Sequence, residues 1–236
     1  MTSARSRARG FSLMETVIAI GVLAVLLTAF LAVFGPAATG IRKTLSSQEA
    51  DRLASTLERE LQTLRSGQSP SSGFDKGFIW IKDSVQTNGT LFVYQYRGNP
   101  DASKARTDGT MEPYTASDGV SGKDYIVQTM VRRRDDALFE ADLKALEGRV
   151  FAVKATQLIF NNGALKPGTA GQIVDPKGGS TVSSSDAYPE AVISFAADFF
   201  EVVTTSPAYL KQGGAFDPAK QFQSTPMFTR NLTVSR

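Results

Sequence analysis

The sequence of 236 residues contains no cysteine and no histidine. Without cysteine it can form neither a disulfide bond nor a thiolate metal site. The two absences together exclude the usual zinc sites, the Ser-His-Asp and Cys-His nucleophile pairs, and the most common general base. No spacing of serine and lysine favours a catalytic dyad either. We therefore expect no enzymatic activity, no catalytic residue, and no metal or other cofactor.

Charge is absent from residues 16–41, which belong to a long apolar run that starts at Phe11. A helix of this length can cross the hydrocarbon core of a bilayer, which takes about 20 residues. Three arginines lie among residues 1–10, and positive charge before a span holds the N-terminus in the cytoplasm. Glu15 lies at the start of the span, where an acid is costly and marks a functional position. The alternative is that Glu15 is only an interfacial residue of a signal anchor.

The segment RGFSLME, residues 9–15, resembles the cleavage and methylation site of type IV prepilins and type II secretion pseudopilins, a resemblance that extends over residues 5–65. It implies that a prepilin peptidase cleaves between Gly10 and Phe11, and that the new N-terminus of Phe11 is then methylated. It also implies that Glu15 meets the N-terminal amine of a neighbouring subunit during assembly. The implied partners are the peptidase, other pilin or pseudopilin subunits, an inner-membrane assembly platform and membrane lipid.

This interpretation divides the chain into a leader (1–10), a transmembrane helix segment (11–35), an amphipathic helix segment (36–66) and a periplasmic β-rich head (74–236). Removal of the leader with its three arginines leaves 23 basic and 23 acidic residues. The alkaline pI of the whole chain therefore gives no reason to expect nucleic acid as a partner. The predicted location is the inner membrane, with a single pass, a cytoplasmic N-terminus and a periplasmic head, before assembly into a periplasmic or surface fibre.

The amphipathic segment carries an apolar stripe, formed by Ile41, Leu45, Leu53, Leu57, Leu61 and Leu64. Such a stripe requires a partner surface, and we expect its last four leucines to pack on a β-sheet of the same chain. Gly35-Pro36 interrupts the helical pattern, because proline removes one backbone hydrogen bond and clashes with the preceding turn. We expect a kink there, within one helix over residues 11–65, rather than the end of the helix.

Apolar runs alternate with turn-forming segments after Gly73, which predicts strands joined by loops. The expected strands are 78–85, 91–97, 125–133, 150–160, 191–203 and 227–234. The first two are expected to form a hairpin at Asn88-Gly89, and the fifth to lie in the centre of the sheet. We expect a short helix at 137–147, a long surface loop at 98–122 and a further insertion with little regular structure at 166–186. Strand runs without alternating helices predict an antiparallel sheet and an α+β fold, with the long N-terminal helix packed on the sheet.

Two groups of charged residues in the head are candidate binding sites. Arg132-Arg133-Arg134 precedes Asp135-Asp136, and because these acids neutralise it and no aromatics interleave, we expect a solvated strand end rather than a phosphate or DNA patch. Four aspartates share one loop, but their spacing does not match a calcium-binding loop, so no metal site is predicted. The four aspartates are Asp101, Asp108, Asp118 and Asp124.

Other conspicuous residues of the head have ordinary interpretations. Trp80, Tyr94 and Tyr96 are expected to be core or edge aromatics. The sequence Asn231-Leu232-Thr233 matches a glycosylation sequon, but three-residue matches are common and this one lies in a predicted strand.

The leading hypothesis is a structural subunit, a minor pilin or pseudopilin of a type IV pilus or a type II secretion pseudopilus. A bulky head with long loops packs poorly in a dense helical array, which favours a minor subunit over the abundant one. Two alternatives are a binding module at a fibre tip, for adhesion or DNA uptake, and a membrane-anchored periplasmic enzyme. The neutral charge after cleavage argues against DNA, and the lack of histidine and cysteine argues against the enzyme.

Overall fold

The computed structural model describes residues 13–66, 70, 72–161 and 163–236, without the side chains of residues 33–47. The chain divides into two compact units, residues 1–49 and residues 50–236. The first described element is α1, Leu13–Gln62, which contains 50 residues. It passes through Gly35-Pro36 without ending, as predicted, whereas the predicted kink stays a prediction. The fold is α+β, as the sequence indicated.

The second helix, α2 (Gly73–Asp83), replaces the predicted strand 78–85. Ser72 caps the helix, because its Oγ accepts a hydrogen bond of 3.1 Å from the backbone N–H of Asp75. Phe74, Phe78 and Ile81 recur at helical spacing and are buried on one face. The strand prediction was wrong because the short run FIWI was interpreted without Phe74, whose spacing sets the helical period. The predicted hairpin is wrong too, since Asn88-Gly89 lies in the connection between α2 and the next strand.

Six strands form one sheet, and each paired neighbour is antiparallel. They are β1 (Leu91–Gly98), β2 (Ile126–Arg133), β3 (Leu146–Asn161), β4 (Ala164–Pro167), β5 (Val192–Glu201) and β6 (Phe228–Ser235). The order is β2-β1-β3-β5-β6, and β4 forms a hairpin with the end of β3. The centre is therefore β3. The strand expected there, β5, is an interior strand next to the edge.

Apolar side chains occupy both faces of this sheet, because successive residues of a strand point to opposite sides. One core includes Val93 of β1 and Phe195 of β5, together with buried residues of α2. The opposite core includes Phe92 and Tyr94 of β1 and is covered by shorter helices. The shorter helices are α3 (Phe139–Asp142), a 3-10 turn at Leu143–Ala145, α4 (Pro207–Leu210) and α5 (Pro218–Gln221).

The leucine stripe of α1 packs on the first of these cores. Leu53, Leu57 and Leu61 are at most 2 % exposed and belong to it, which confirms that part of the prediction. Leu64 is 48 % exposed, so its inclusion was wrong, since α1 ends at Gln62 and the helical period ends there too. The side chains of Ile41 and Leu45 lie outside the described residues.

The loops also differ in part from the expectation. The helix expected at 137–147 is only one turn of α-helix and one of 3-10 helix, because β3 already begins at Leu146. Segment 98–122 contains a 3-10 turn at Ala102–Lys104, and its Asp108 and Thr110 are buried rather than on the surface. Segment 166–186 has little regular structure beyond the end of β4, as expected.

Candidate functional site

The predicted processing and assembly residues belong to the start of the chain. Gly10 and Phe11 lie outside the described residues, so the cleavage and methylation sites stay predictions. Glu15 lies in the first turn of α1. The partial positive charge on the unsatisfied N–H groups of a helix N-terminus offsets part of the cost of an acid beside an apolar span.

Residues Leu13–Ala32 of α1 form an apolar span long enough to cross a membrane, with a mean hydropathy of 2.3 and no buried residue. The large apolar side chains point outward all round the helix, from Phe30 at 53 % exposed to Leu13 at 84 %. Leaving so much apolar surface in water is unfavourable by about 25 cal/mol per Å². The span therefore fits a membrane anchor, where lipid or apolar helices cover it.

In the head, Arg132 is 1 % exposed and forms ion pairs with three aspartates. Its Nε donates to Asp142 Oδ2 at 2.9 Å, its Nη1 to Asp136 Oδ2 at 3.0 Å and its Nη2 to Asp108 Oδ2 at 3.0 Å. Burial acts to lower the pKa of Arg132, but the surrounding carboxylates outweigh it and raise the pKa above its usual value. This guanidinium ties β2 to α3 and to the loop that carries Asp108.

Asp142 connects this arginine to further residues. Its carboxylate is fully buried and also accepts hydrogen bonds from Tyr94 Oη at 2.5 Å and from Arg106 Nη1 at 2.6 Å. Burial, and then the negative charge of Asp142, raise the pKa of Tyr94 well above its usual value, so Tyr94 stays a neutral donor. The carboxylate is thus compensated by two arginines and one hydroxyl, which is how a buried charge is tolerated.

Arg134 is also 1 % exposed, but it contacts backbone carbonyls instead of acids. Its Nη2 donates to Gly214 at 2.8 Å, and its other nitrogens donate to the carbonyls of Thr87, Leu210, Lys211 and Phe216. The solvated strand end predicted for the three arginines is therefore wrong for Arg132 and Arg134. Only Arg133 is partly exposed, paired with Asp135 at 2.8 Å. Strand alternation puts the outer two arginines on one face, and this was the signal that sequence reasoning missed.

A second buried ion pair joins the end of α1 to α2. Glu60 Oε1 lies 2.8 Å from Lys76 Nζ, and its Oε2 lies 2.5 Å from Arg65 Nη2. Lys76 also donates to the Thr63 carbonyl at 2.7 Å and lies 4.4 Å from the centroid of the Trp80 ring. Burial lowers the pKa of Lys76, and the Glu60 carboxylate opposes that effect. The geometry fixes α2 against the end of α1.

The four loop aspartates do not converge on a common point. Asp101 caps the turn at Ala102–Lys104, Asp108 accepts from Thr110 and Arg132, and Asp124 accepts from the N–H of Val120. Burial opposes ionisation of Asp108, but the bonds from Thr110 and Arg132 outweigh it and hold its pKa below the usual value. Within the described ranges, no group of three or more acidic residues could hold a metal ion.

The aromatic residues singled out in the sequence lie in the core, as predicted: Trp80, Tyr94 and Tyr96 are at most 5 % exposed. Trp80 and Ile79 also line a cleft of about 580 Å³ with Asp108, Arg132 and Asp136. Asp108 and Asp136 bond to Arg132, and Asp135, which also lines the cleft, pairs with Arg133, so the cleft offers a polar surface whose acids are already compensated. The sequon at Asn231 lies inside β6.

Residues 5–31 match the family described as the prokaryotic N-terminal methylation motif, a stretch that includes Gly10, Phe11, Glu15 and most of the apolar span. The chain therefore carries an N-terminal segment of the prepilin type. That segment supports a role of the pilin or pseudopilin kind, which generally involves a peptidase and other pilin subunits. Comparisons with curated proteins and with solved structures gave no match.

Proposed function

We propose that this protein is a minor pilin or pseudopilin, a structural subunit of a type IV pilus or of a type II secretion pseudopilus. The observation that carries the proposal is the prepilin-type match over residues 5–31, which overlaps an apolar span of α1 without a buried residue, Leu13–Ala32. In this proposal the N-terminus lies in the cytoplasm and the head in the periplasm, as the arginines before the span indicate. The protein then moves from the inner membrane into a fibre.

The proposed sequence of events uses three residues near the start of the chain. A prepilin peptidase cleaves between Gly10 and Phe11, and the new amine of Phe11 is methylated. In the fibre, Glu15 approaches the N-terminal amine of a neighbouring subunit. Both charges leave water there, and their attraction is stronger where the dielectric constant is low, so the pair favours the fibre and sets its axial register.

The head supports the assignment to a minor subunit and to a non-enzymatic role. Residues 50–236 form a compact unit with long loops, a bulky shape for the abundant subunit of a dense array. The buried polar groups described above are engaged with one another rather than directed at a substrate. Arg132 and Asp142 are each bonded to several partners, which is the geometry of a structural network.

The test compares two variants in cells that have a prepilin peptidase and sister pilins. Gly10→Val should leave the leader attached, because only a small residue fits before the cut, and mass spectrometry of the N-terminus measures this. Glu15→Gln should be cleaved and inserted normally but should co-purify far less with partner pilins. An uncleaved wild-type N-terminus would contradict the processing step. If Glu15→Gln co-purifies with partner pilins as well as the wild type does, Glu15 is only an interfacial residue and the assembly role is contradicted.

A further inference from the structure

Strands β2 and β6 lie at the two ends of the strand order β2-β1-β3-β5-β6, and the contacts of α1 with them differ. At β6, the N–H of Thr233 donates to Glu58 Oε1 at 3.1 Å, and the carbonyl of Thr233 accepts from Gln62 Nε2 at 3.4 Å. An ion pair of 2.8 Å between Arg230 and Asp51 lies along the same edge. Unpaired backbone groups at a sheet edge are a template for another strand. At β6, side chains of α1 already form hydrogen bonds with such backbone groups.

At β2, the corresponding groups are left open. A groove of about 660 Å³, here called the β2 groove, is lined by Arg52, Ser55, Thr56, Arg59, Val127, Gln128 and Thr129. The two hydroxyls in it do not reach β2, because Ser55 and Thr56 each donate to the carbonyl four residues earlier in α1, at 2.8 Å. Among the described residues, no hydrogen bond joins α1 to the backbone of residues 127–129.

The charge of the β2 groove is also uncompensated. Arg52 and Arg59 are exposed and lie two helical turns apart, about 10.5 Å along the axis. All 23 acidic residues of the chain fall within the described ranges, and none of them forms an ion pair with either arginine. On its β6 side, α1 instead directs Asp51 and Glu58 at its own sheet. The helix therefore presents acids to the covered edge and arginines to the open one.

We propose that the β2 groove docks an extended acidic segment of a partner protein, which pairs with β2 as an added strand and sets its carboxylates against Arg52 and Arg59. Strand addition uses the open backbone groups of an edge for affinity and alternate side chains for specificity. Carboxylates two or four residues apart in a strand are about 7 or 13 Å apart, within reach of both arginines. Val127, which is 39 % exposed, supplies an apolar contact. This docking does not depend on the role proposed for the N-terminal segment.

The probe is a labelled nine-residue peptide in which glutamate alternates with valine or threonine, added to the full-length protein in a non-ionic detergent. Fluorescence anisotropy should give saturable binding that weakens as salt is added, since salt screens exposed charge pairs. The double variant R52Q/R59Q should weaken binding at least tenfold. The matched control R230Q removes an arginine that faces the same helix from the β6 side, and its affinity should stay within twofold of wild type. Thermal unfolding checks that each variant is folded.

Strand pairing has its own measurement. Two further peptides are N-methylated on alternate residues, one at the odd positions and the other at the even positions. They should bind with different affinities, because only one of the two patterns removes the N–H groups that face β2. Hydrogen exchange of residues 126–133 should slow when the unmethylated peptide binds. Equal binding of a lysine-for-glutamate peptide, no effect of R52Q/R59Q, or no saturable binding would overturn the proposal. So would self-association of the full chain that R52Q/R59Q abolishes, since the occupant would then be a second copy.

Discussion

The two ends of α1 are both rich in apolar residues, but they expose them differently. In the span Leu13–Ala32 no residue is buried, and Leu26 is 61 % exposed. Near the other end Leu57 is fully buried in the head. The difference follows from pattern. An all-round apolar surface requires an environment that surrounds the helix, whereas a stripe requires one packed face. The same residue type in the same helix thus forms an apolar span that fits a membrane in one unit and part of a protein core in the other.

Each end of the helix also contains an acid among apolar residues. Glu15 lies in the first turn of α1, and its proposed partner belongs to another subunit. Glu60 lies within the head and is 5 % exposed, with both partners, Lys76 and Arg65, supplied by the same chain. Glu60 is thus compensated within one chain, whereas the proposed compensation of Glu15 requires a second subunit.

The largest expected effect is that of Glu60→Gln. The substitution leaves Lys76, which is 1 % exposed, without its carboxylate, and removing one partner of a buried pair costs about 3–5 kcal/mol. Unfolding of the full-length protein in detergent, followed by the fluorescence of Trp80, measures it. Trp80 is the single tryptophan and lies against Lys76. The control Glu140→Gln alters an exposed acid and should change stability by less than about 0.5 kcal/mol. Equal effects of the two substitutions would contradict the special position of Glu60.

The second largest effect is expected for Leu57→Ala, and its comparison with Leu26→Ala tests the two ends of α1 directly. Truncation of a fully buried leucine removes apolar contact and leaves a cavity, at a cost of about 2–5 kcal/mol. Leu26→Ala should change the unfolding free energy of the head by less than about 0.5 kcal/mol, since no residue of the span is buried. Both variants are compared with wild type by the same fluorescence measurement. If Leu26→Ala destabilises the head as much as Leu57→Ala, the span does not act independently of the head.

The smallest effect is expected for Asp51→Asn. Its carboxylate lies 2.8 Å from Arg230, but the two side chains are 64 % and 33 % exposed. Water and salt screen such a pair, which is worth about 0.2–1 kcal/mol. A double-mutant cycle with Arg230→Gln isolates the pair. A coupling energy as large as the effect of Leu57→Ala would mean that ion pairs, rather than the leucine stripe, hold α1 on the sheet.

Most of the sheet could be predicted from sequence because its strands are long and apolar. The expected strands 125–133, 150–160, 191–203 and 227–234 lie within a few residues of β2, β3, β5 and β6. The failure at 78–85 has a physical cause, since four apolar residues in a row fit a strand and a buried helix equally well. Only packing on β3 and β6 selects the helix. At Gly77, a Cβ atom would lie 2.5 Å from Val234 Cγ1, so the glycine permits this close approach.

The sequence by itself determined the features near the N-terminus, namely the prepilin-type motif and the apolar span. A prepilin-type motif and an apolar span are local properties, set by neighbouring residues, and the match to residues 5–31 rests on the same residues. Only the tertiary structure decided that Arg132 and Arg134 are buried. Their partners, among them Asp108, Asp142 and Gly214, are brought together only by the fold. Burial of a charge depends on such distant compensation, because an isolated charge in a core is too costly to persist.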